Sequence, residues 1–140
     1  MVVVVDANVW VSSLIPAETH YLASSAWLAA WTAEGHRIVV LELFVVEVGG
    51  TMARRRNDSS AGARALAAVR ADPSVEIMPV PEATWLAAPD TAARLLLRGA
   101  DAVYAALALA LGVPLVTWDL ELVRRALTEV DVRTPDQMPV

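Results

Sequence analysis

The sequence contains no cysteine and no lysine, and all 11 of its basic residues are arginine. Without thiols there is no disulfide framework, no thiolate zinc site and no cysteine nucleophile, so any metal chemistry has to use oxygen or imidazole. That usage is compatible with a reducing cytoplasm. Without lysine, Schiff-base chemistry and the phosphate-binding P-loop both fall away. Positive charge is scarce as well: 16 acids against 11 arginines leave a net charge of -5. An extended basic surface is therefore excluded, and any nucleic-acid contact must depend on local arginines or bound cations. Long hydrophobic runs are missing too, although 56% of the residues are hydrophobic. The longest uncharged run, Ala102 to Trp118, is shorter than a bilayer span and is broken by Gly112 and Pro114. The opening MVVVVDANVW has no basic segment and only four valines before Asp6, too few for a secretory signal core. The expectation is a cytoplasmic protein with no membrane segment, folded as one domain over residues 1–140.

What is present is an alternation of short apolar runs with helical stretches, the pattern of a parallel sheet covered by helices on both faces. Val2–Val5 is uniformly β-branched and predicts a central strand. Apolar residues at helical spacing from Ala17 to Ala33, with Gly35 as a stop, predict the first helix. Arg37–Leu41 follows as the second strand, Leu43–Arg56 and Ala61–Ala71 as helices, and Val75–Met78 as an edge strand. Ala83–Leu97 predicts a helix that Pro89 kinks or divides. Asp101 opens the helix Ala102–Leu111, Leu115–Thr117 is a buried strand, Asp119 starts a last short helix, and Val130–Arg133 is a final edge strand.

In such a sheet, ligands bind beyond the carboxyl ends of the strands, where the following helices begin. Four acids map to that edge: Asp6 after the first strand, Glu47 in the opening turns of the helix after the second, Asp101 at a helix start, and Asp119 after the Leu115–Thr117 strand. Asp101 and Asp119 each have an ordinary reading as helix N-caps, and Asp6 with Asn8 as an Asx-turn. Glu47 is harder to dismiss, because Leu43, Phe44, Val46 and Val48 surround it and the nearest helical arginine, Arg54, is about two turns away. It needs a partner, either a metal or a distant arginine. Convergence of four carboxylates is costly without a cation, and Mg²⁺ or Mn²⁺ suits clustered oxygens.

The segments VVVVDANVW, VVEVGGTMARR, RGADAVYAALALALGVPLV and TWDLEL, in this order and spacing, cover most of the chain. Together they resemble the PIN-domain nucleases and, within them, the small VapC-type toxins of bacterial toxin–antitoxin pairs. The resemblance implies a three-layer α/β/α fold with a central parallel sheet of four or five short strands. It implies an acidic site of Asp6, Glu47, Asp101 and Asp119, supported by Asn8 and Thr117. It further implies a metal-dependent endoribonuclease using one or two Mg²⁺ or Mn²⁺ ions, leaving 5′-phosphate and 3′-hydroxyl ends, and acting as a homodimer restrained by a cognate VapB-type antitoxin. Asp6, Asp101 and Asp119 would be the inner ligands, with Glu47 on a second ion or helping to remove a proton from water. One departure is visible: the family often carries a proline where its second strand ends, and this chain has Leu41 and Glu42 there.

The alternatives are a non-catalytic PIN-like module that binds only metal or partner, and two other acidic-edge classes, receiver domains and haloacid-dehalogenase-type phosphatases. Both of the latter call for a lysine. Among the remaining residues, Arg98 is the leading candidate for a phosphate contact, and Trp10 and Trp118 for stacking a base. Trp27 and Trp31, one turn apart on one helix, read as core or as dimer interface. His20 and His36 are expected on the surface or in packing, away from the acidic edge. Arg54 to Arg56, Arg124 and Arg125 read as solvated helix ends, with phosphate contact as their second reading.

Overall fold

The computed structural model describes all residues from Met1 to Val140. Five strands form one parallel sheet: β1 Val2–Val5, β2 Arg37–Leu41, β3 Val75–Met78, β4 Leu115–Val116 and β5 Val132–Arg133, in the spatial order β3-β2-β1-β4-β5. The helices are α1 Ala7–Leu14, α2 Tyr21–Ala33, α3 Glu42–Arg56, α4 Ser59–Ala71, α5 Glu82–Leu95, α6 Gly99–Leu111 and α7 Leu120–Ala126, with a closing 3₁₀ turn at Pro135–Gln137. This is the expected α/β/α arrangement, and β3 and β5 are the edges that the sequence placed there. Val3, Val4 and Val5 are fully buried, which explains why β1 tolerates no polar alternation.

The strand order sets the site. From β1 the chain builds outward through β2 to β3, then returns to the other side of β1 for β4 and β5. Adjacent strands whose connections run in opposite directions leave a crevice at their carboxyl ends. That crevice lies between β1 and β4, which pair through Val4 with Leu115 and Val5 with Val116. Asp6 immediately follows β1, and its amide donates to the Val116 carbonyl at 3.0 Å.

Several boundaries differ from the sequence-based expectation. The chain between β1 and Ala17 is helical: Asp6 caps α1, whose buried face holds Ala7, Val9, Trp10, Val11 and Ser12. The Val9-Trp10-Val11 run has strand-like composition, and tertiary packing against α2 and α3 overrides it. Consequently the next helix begins at Tyr21 instead of Ala17. Pro89 lies inside an undivided α5. Helix α6 starts at Gly99 behind the extended Arg98, so Asp101 sits in its first turn and is not the cap. Strand β5 is shorter than Val130–Arg133, and Thr117 lies just past β4. Glu42, standing where the family often has proline, is the first residue of α3.

Helix α3 is held closely by α4. Gly62 stands so near the Gly49 carbonyl that a Cβ there would lie 2.6 Å from the oxygen. The close approach fixes the helix that carries Glu47.

Candidate active site

Asp6 is the most deeply placed of the four acids, 8% exposed. Its carboxylate serves first as a helix cap, accepting from the Asn8 amide at 3.3 Å. Its second oxygen accepts from the Asn8 side-chain amide at 2.8 Å and from the Thr117 hydroxyl at 2.7 Å. Thr117, itself fully buried, also accepts from Asn8 Nδ2 at 2.9 Å and from the Asp119 amide at 3.0 Å. One hydroxyl thus ties the end of β1 to the start of α7 across the crevice. Burial pushes the Asp6 carboxyl up to about 6, against the lowering effect of Thr117 and Asn8, and the charges of Glu47 and Asp101 add to the rise.

Glu47 is half-buried on α3. The Tyr104 hydroxyl donates to its Oε2 at 2.6 Å. The partner demanded by so apolar a helix is therefore a tyrosine, and not the distant arginine that sequence reasoning allowed. Burial raises the Glu47 pKa, the tyrosine bond lowers it, and Asp101 raises it again. Tyr104 is 1% exposed, and burial followed by the Glu47 charge pushes its hydroxyl far upward, so it remains a donor. Sequence reasoning missed this residue. The signal was its position three residues after Asp101, which puts both on one face of α6.

Asp119 caps α7 through a single oxygen, Oδ1, which accepts from the amides of Glu121 at 2.8 Å and Leu122 at 3.1 Å. Its other oxygen accepts from Arg98 Nη2 at 2.8 Å. Arg98 Nε reaches Asp101 Oδ2 at 3.2 Å. A guanidinium therefore lies across two of the four acids. Burial raises the Asp101 pKa, Arg98 opposes that rise, and Asp119 reinforces it.

The carboxylates are electrostatic neighbours: the charges of Glu47 and Asp101 act on Asp6, that of Asp101 on Glu47, and that of Asp119 on Asp101. As they stand, no three of the chain's His, Asp or Glu side chains close on a common point at ligand distance. Asp6 and Glu47 are instead drawn to neutral donors, and Asp101 and Asp119 to a shared arginine. In donor chemistry, an oxygen-only set of like charges at one crevice fits a hard divalent cation.

The cleft beside Asp6 and Glu47 has a volume of about 430 Å³, with His20, Arg54, Arg55 and Trp118 on its walls. Trp118 is fixed by its indole N–H donating to Ser24 Oγ at 2.7 Å and its backbone amide donating to Asn8 Oδ1 at 3.0 Å. His20 stacks on it, ring centroids 3.9 Å apart and planes 8° from parallel. His20 therefore does reach the acidic edge, contrary to the sequence-based expectation, whereas His36 packs against Trp31 away from it. Trp10 is 6% exposed and packs edge-on against Phe44, so it is a core side chain with no face open to a base. Trp27 and Trp31 are likewise core residues, at 4% and 0% exposure. They supply no dimer interface.

The PIN-domain family model matches residues 3–127. The chain belongs to the PIN-domain family. Among solved structures, the PIN fold recurs in FitAcB from Neisseria gonorrhoeae, with a TM-score of 0.75 and 19% identity, covering 97% of this chain and 99% of that one. It recurs in VapC20 of Mycobacterium tuberculosis, described as a sarcin-ricin loop cleaving toxin, with a TM-score of 0.74 and 18% identity over 94% of this chain and 98% of that one. VapBC2 from Rickettsia felis, bound to a DNA fragment from its promoter, matches with a TM-score of 0.74 and 14% identity over 96% and 98%. No curated protein sequence shows significant similarity to this chain. No helix of this PIN domain is long and apolar enough to cross a membrane.

Proposed function

We propose that this PIN-domain protein is a metal-dependent endoribonuclease, the toxin of a bacterial toxin–antitoxin pair, acting in the cytoplasm. The observation that carries the reading is the acidic crevice at β1/β4 of a PIN fold: Asp6 bonded to Thr117 just past β4, Asp101 and Asp119 bridged by Arg98, and Glu47 held by Tyr104 from the helix that carries Asp101. The likeness to toxins of the VapC kind, one of them described as cleaving the sarcin-ricin loop, supports RNA as substrate. Mg²⁺ or Mn²⁺, as one or two ions, would supply Lewis acidity at the phosphate and a nucleophilic water at neutral pH.

The chain's own residues divide the remaining work. Asn8 and Thr117 orient the Asp6 carboxylate, so that this ligand needs little reorganisation. Asp119 is held from behind by the first amides of α7, which leaves its outer oxygen facing the crevice. Glu47, raised by burial and steadied by Tyr104, takes the proton of the attacking water. Trp118 and its stacked neighbour His20 give an aromatic wall against which an unpaired base would lie. Arg98, bonded to Asp101 and Asp119, and Arg54 and Arg55 on the cleft wall are the cations available to a phosphate.

The proposed partners are a cognate VapB-type antitoxin and a second copy of the chain. A dimer would use surface other than Trp27 and Trp31; Trp85 and Leu86 on α5 are 60% and 71% exposed. Expression of the wild type and of D101N in a bacterial host, with mapping of RNA 5′ ends, tests the reading. Growth arrest with new 5′-phosphate ends in the wild type alone is expected. Arrest by both proteins, with unchanged RNA, would instead favour a module that binds without cutting.

A further inference from the structure

Arg98 contacts two acids that belong to different elements, Asp101 in the first turn of α6 and Asp119 at the cap of α7. The oxygens involved matter. Asp119 Oδ1 is already committed to the Glu121 and Leu122 amides, so Oδ2 is the oxygen left for a ligand, and Oδ2 is the atom that Arg98 holds. On Asp101 the guanidinium likewise takes Oδ2. A divalent cation shared by these two residues needs the same Asp119 oxygen. The guanidinium and the cation therefore compete for one position.

The arginine is built to leave. Its side chain is 75% exposed, so its ion pairs are screened and weak. Its backbone is anchored, with its carbonyl accepting from the Ala102 amide at 2.9 Å as α6 begins. Release consequently needs rotation of one exposed side chain and no movement of the helix. A guanidinium carries one delocalised charge, whereas a divalent cation brings two on a compact centre and attracts the surrounding acids more strongly.

We propose that Arg98 is a positioning residue that stands in for the divalent cation, holding Asp101 and Asp119 together and yielding them when metal binds, so that it sets the metal affinity of the site. The proposal rests on the reading of this site as a metal centre. Loss of Arg98 removes the competitor, and metal should bind more tightly.

The test is calorimetric titration of Mn²⁺ into wild type, R98Q, R98K and R125Q, with circular dichroism and melting to confirm folding. Arg125 pairs with Glu121 and the Leu96 carbonyl, not with Asp101 or Asp119, so R125Q removes an equal charge nearby without touching the two oxygens. R98Q should bind Mn²⁺ roughly three- to tenfold more tightly than wild type, the range expected for losing exposed ion pairs. R98K should fall between them, because a lysine lacks the fork that spans both carboxylates. R125Q should stay within about twofold of wild type, as screened charges do. Equal affinities in wild type and R98Q, or weaker binding in R98Q, would overturn the proposal while leaving the metal centre in place. So would a gain in R125Q as large as in R98Q, which would show a general field effect. Weaker RNA binding by R98Q at unchanged Mn²⁺ affinity would make Arg98 a phosphate contact only and also overturn it. Absence of Mn²⁺ binding in all four folded proteins would overturn the metal-centre reading itself, and the role of Arg98 with it.

Discussion

Asp6 and Glu47 are held by neutral donors, whereas Asp101 and Asp119 share a guanidinium. The two halves of one acidic site thus solve the same electrostatic problem differently. Asn8, Thr117 and Tyr104 fix the positions of their carboxylates without cancelling charge, so burial raises both pKa values in spite of the hydrogen bonds. Arg98 supplies charge but little rigidity, since it is exposed and its two contacts are screened. The inner half is preorganised and electrostatically unfavourable; in the outer half Arg98 offsets part of the burial cost at Asp101, whose pKa is still raised, through contacts that can exchange. That division suits the proposed metal site, in which Asp6 would be in place beforehand and Asp101 and Asp119 would exchange Arg98 for the ion.

The largest expected effect comes from breaking the inner half. Asp6→Asn should lower RNA turnover by more than about a hundredfold, beyond the 10–100-fold cost usual for outer-shell partners. Thr117→Val, which removes such a partner, should fall within that 10–100-fold range. Without divalent ions the order reverses for stability. Asp6→Asn relieves a buried charge while losing about one hydrogen bond, so chemical denaturation should show it about 1 kcal/mol more stable at pH 7. Similar turnover in the two variants would place Asp6 and Thr117 on one footing and dissolve the distinction.

A pH series sharpens the same contrast. The folded pKa of Asp6, about 6, lies above its unfolded value of 3.8. The folded state therefore binds the proton more tightly, and its stability falls as pH rises through this window. In EDTA, moving from pH 7.5 down to pH 5 should stabilise the wild type by about 1 kcal/mol, with Glu47 and Asp101, both raised, acting in the same direction. Asp6→Asn should lose most of this dependence. A wild-type midpoint that does not move over this range would show that Asp6 is not strained.

The contrast between the donors is of similar size. Tyr104→Phe leaves Glu47 Oε2 half-buried without its hydroxyl and should cost about 1–2 kcal/mol in denaturation. R98Q should hardly shift the midpoint, because exposed ion pairs contribute little to stability. Equal losses in the two variants would mean that Arg98 is as structural as Tyr104.

How much of this was legible in the sequence follows from range. Val2–Val5 and Arg37–Leu41 were readable as strands because their burial on both faces leaves uniform apolar runs, and the bounds agree with β1 and β2. Asp6, Glu47, Asp101 and Asp119 were readable because strand and helix ends place them at one edge whatever their side chains do. Helix α1 was not, since two turns containing Val9, Trp10 and Val11 carry no clear period. The side-chain pairings were not readable either. Tyr104 meets Glu47 across 57 residues and Arg98 meets Asp119 across 21, and such contacts depend on how helices face each other. His20 reached the acidic edge through the turn between α1 and α2, which could not be placed while α1 was unseen.

The most direct test of the central claim is cleavage of a defined single-stranded RNA by the purified protein, with Mn²⁺ or Mg²⁺, with EDTA, and with D101N in place of wild type. The account predicts endonucleolytic products bearing 5′-phosphates with either ion, none in EDTA, restoration when the ion is returned, and none from folded D101N. Cleavage that persists in EDTA, or that D101N performs at the wild-type rate, would contradict it.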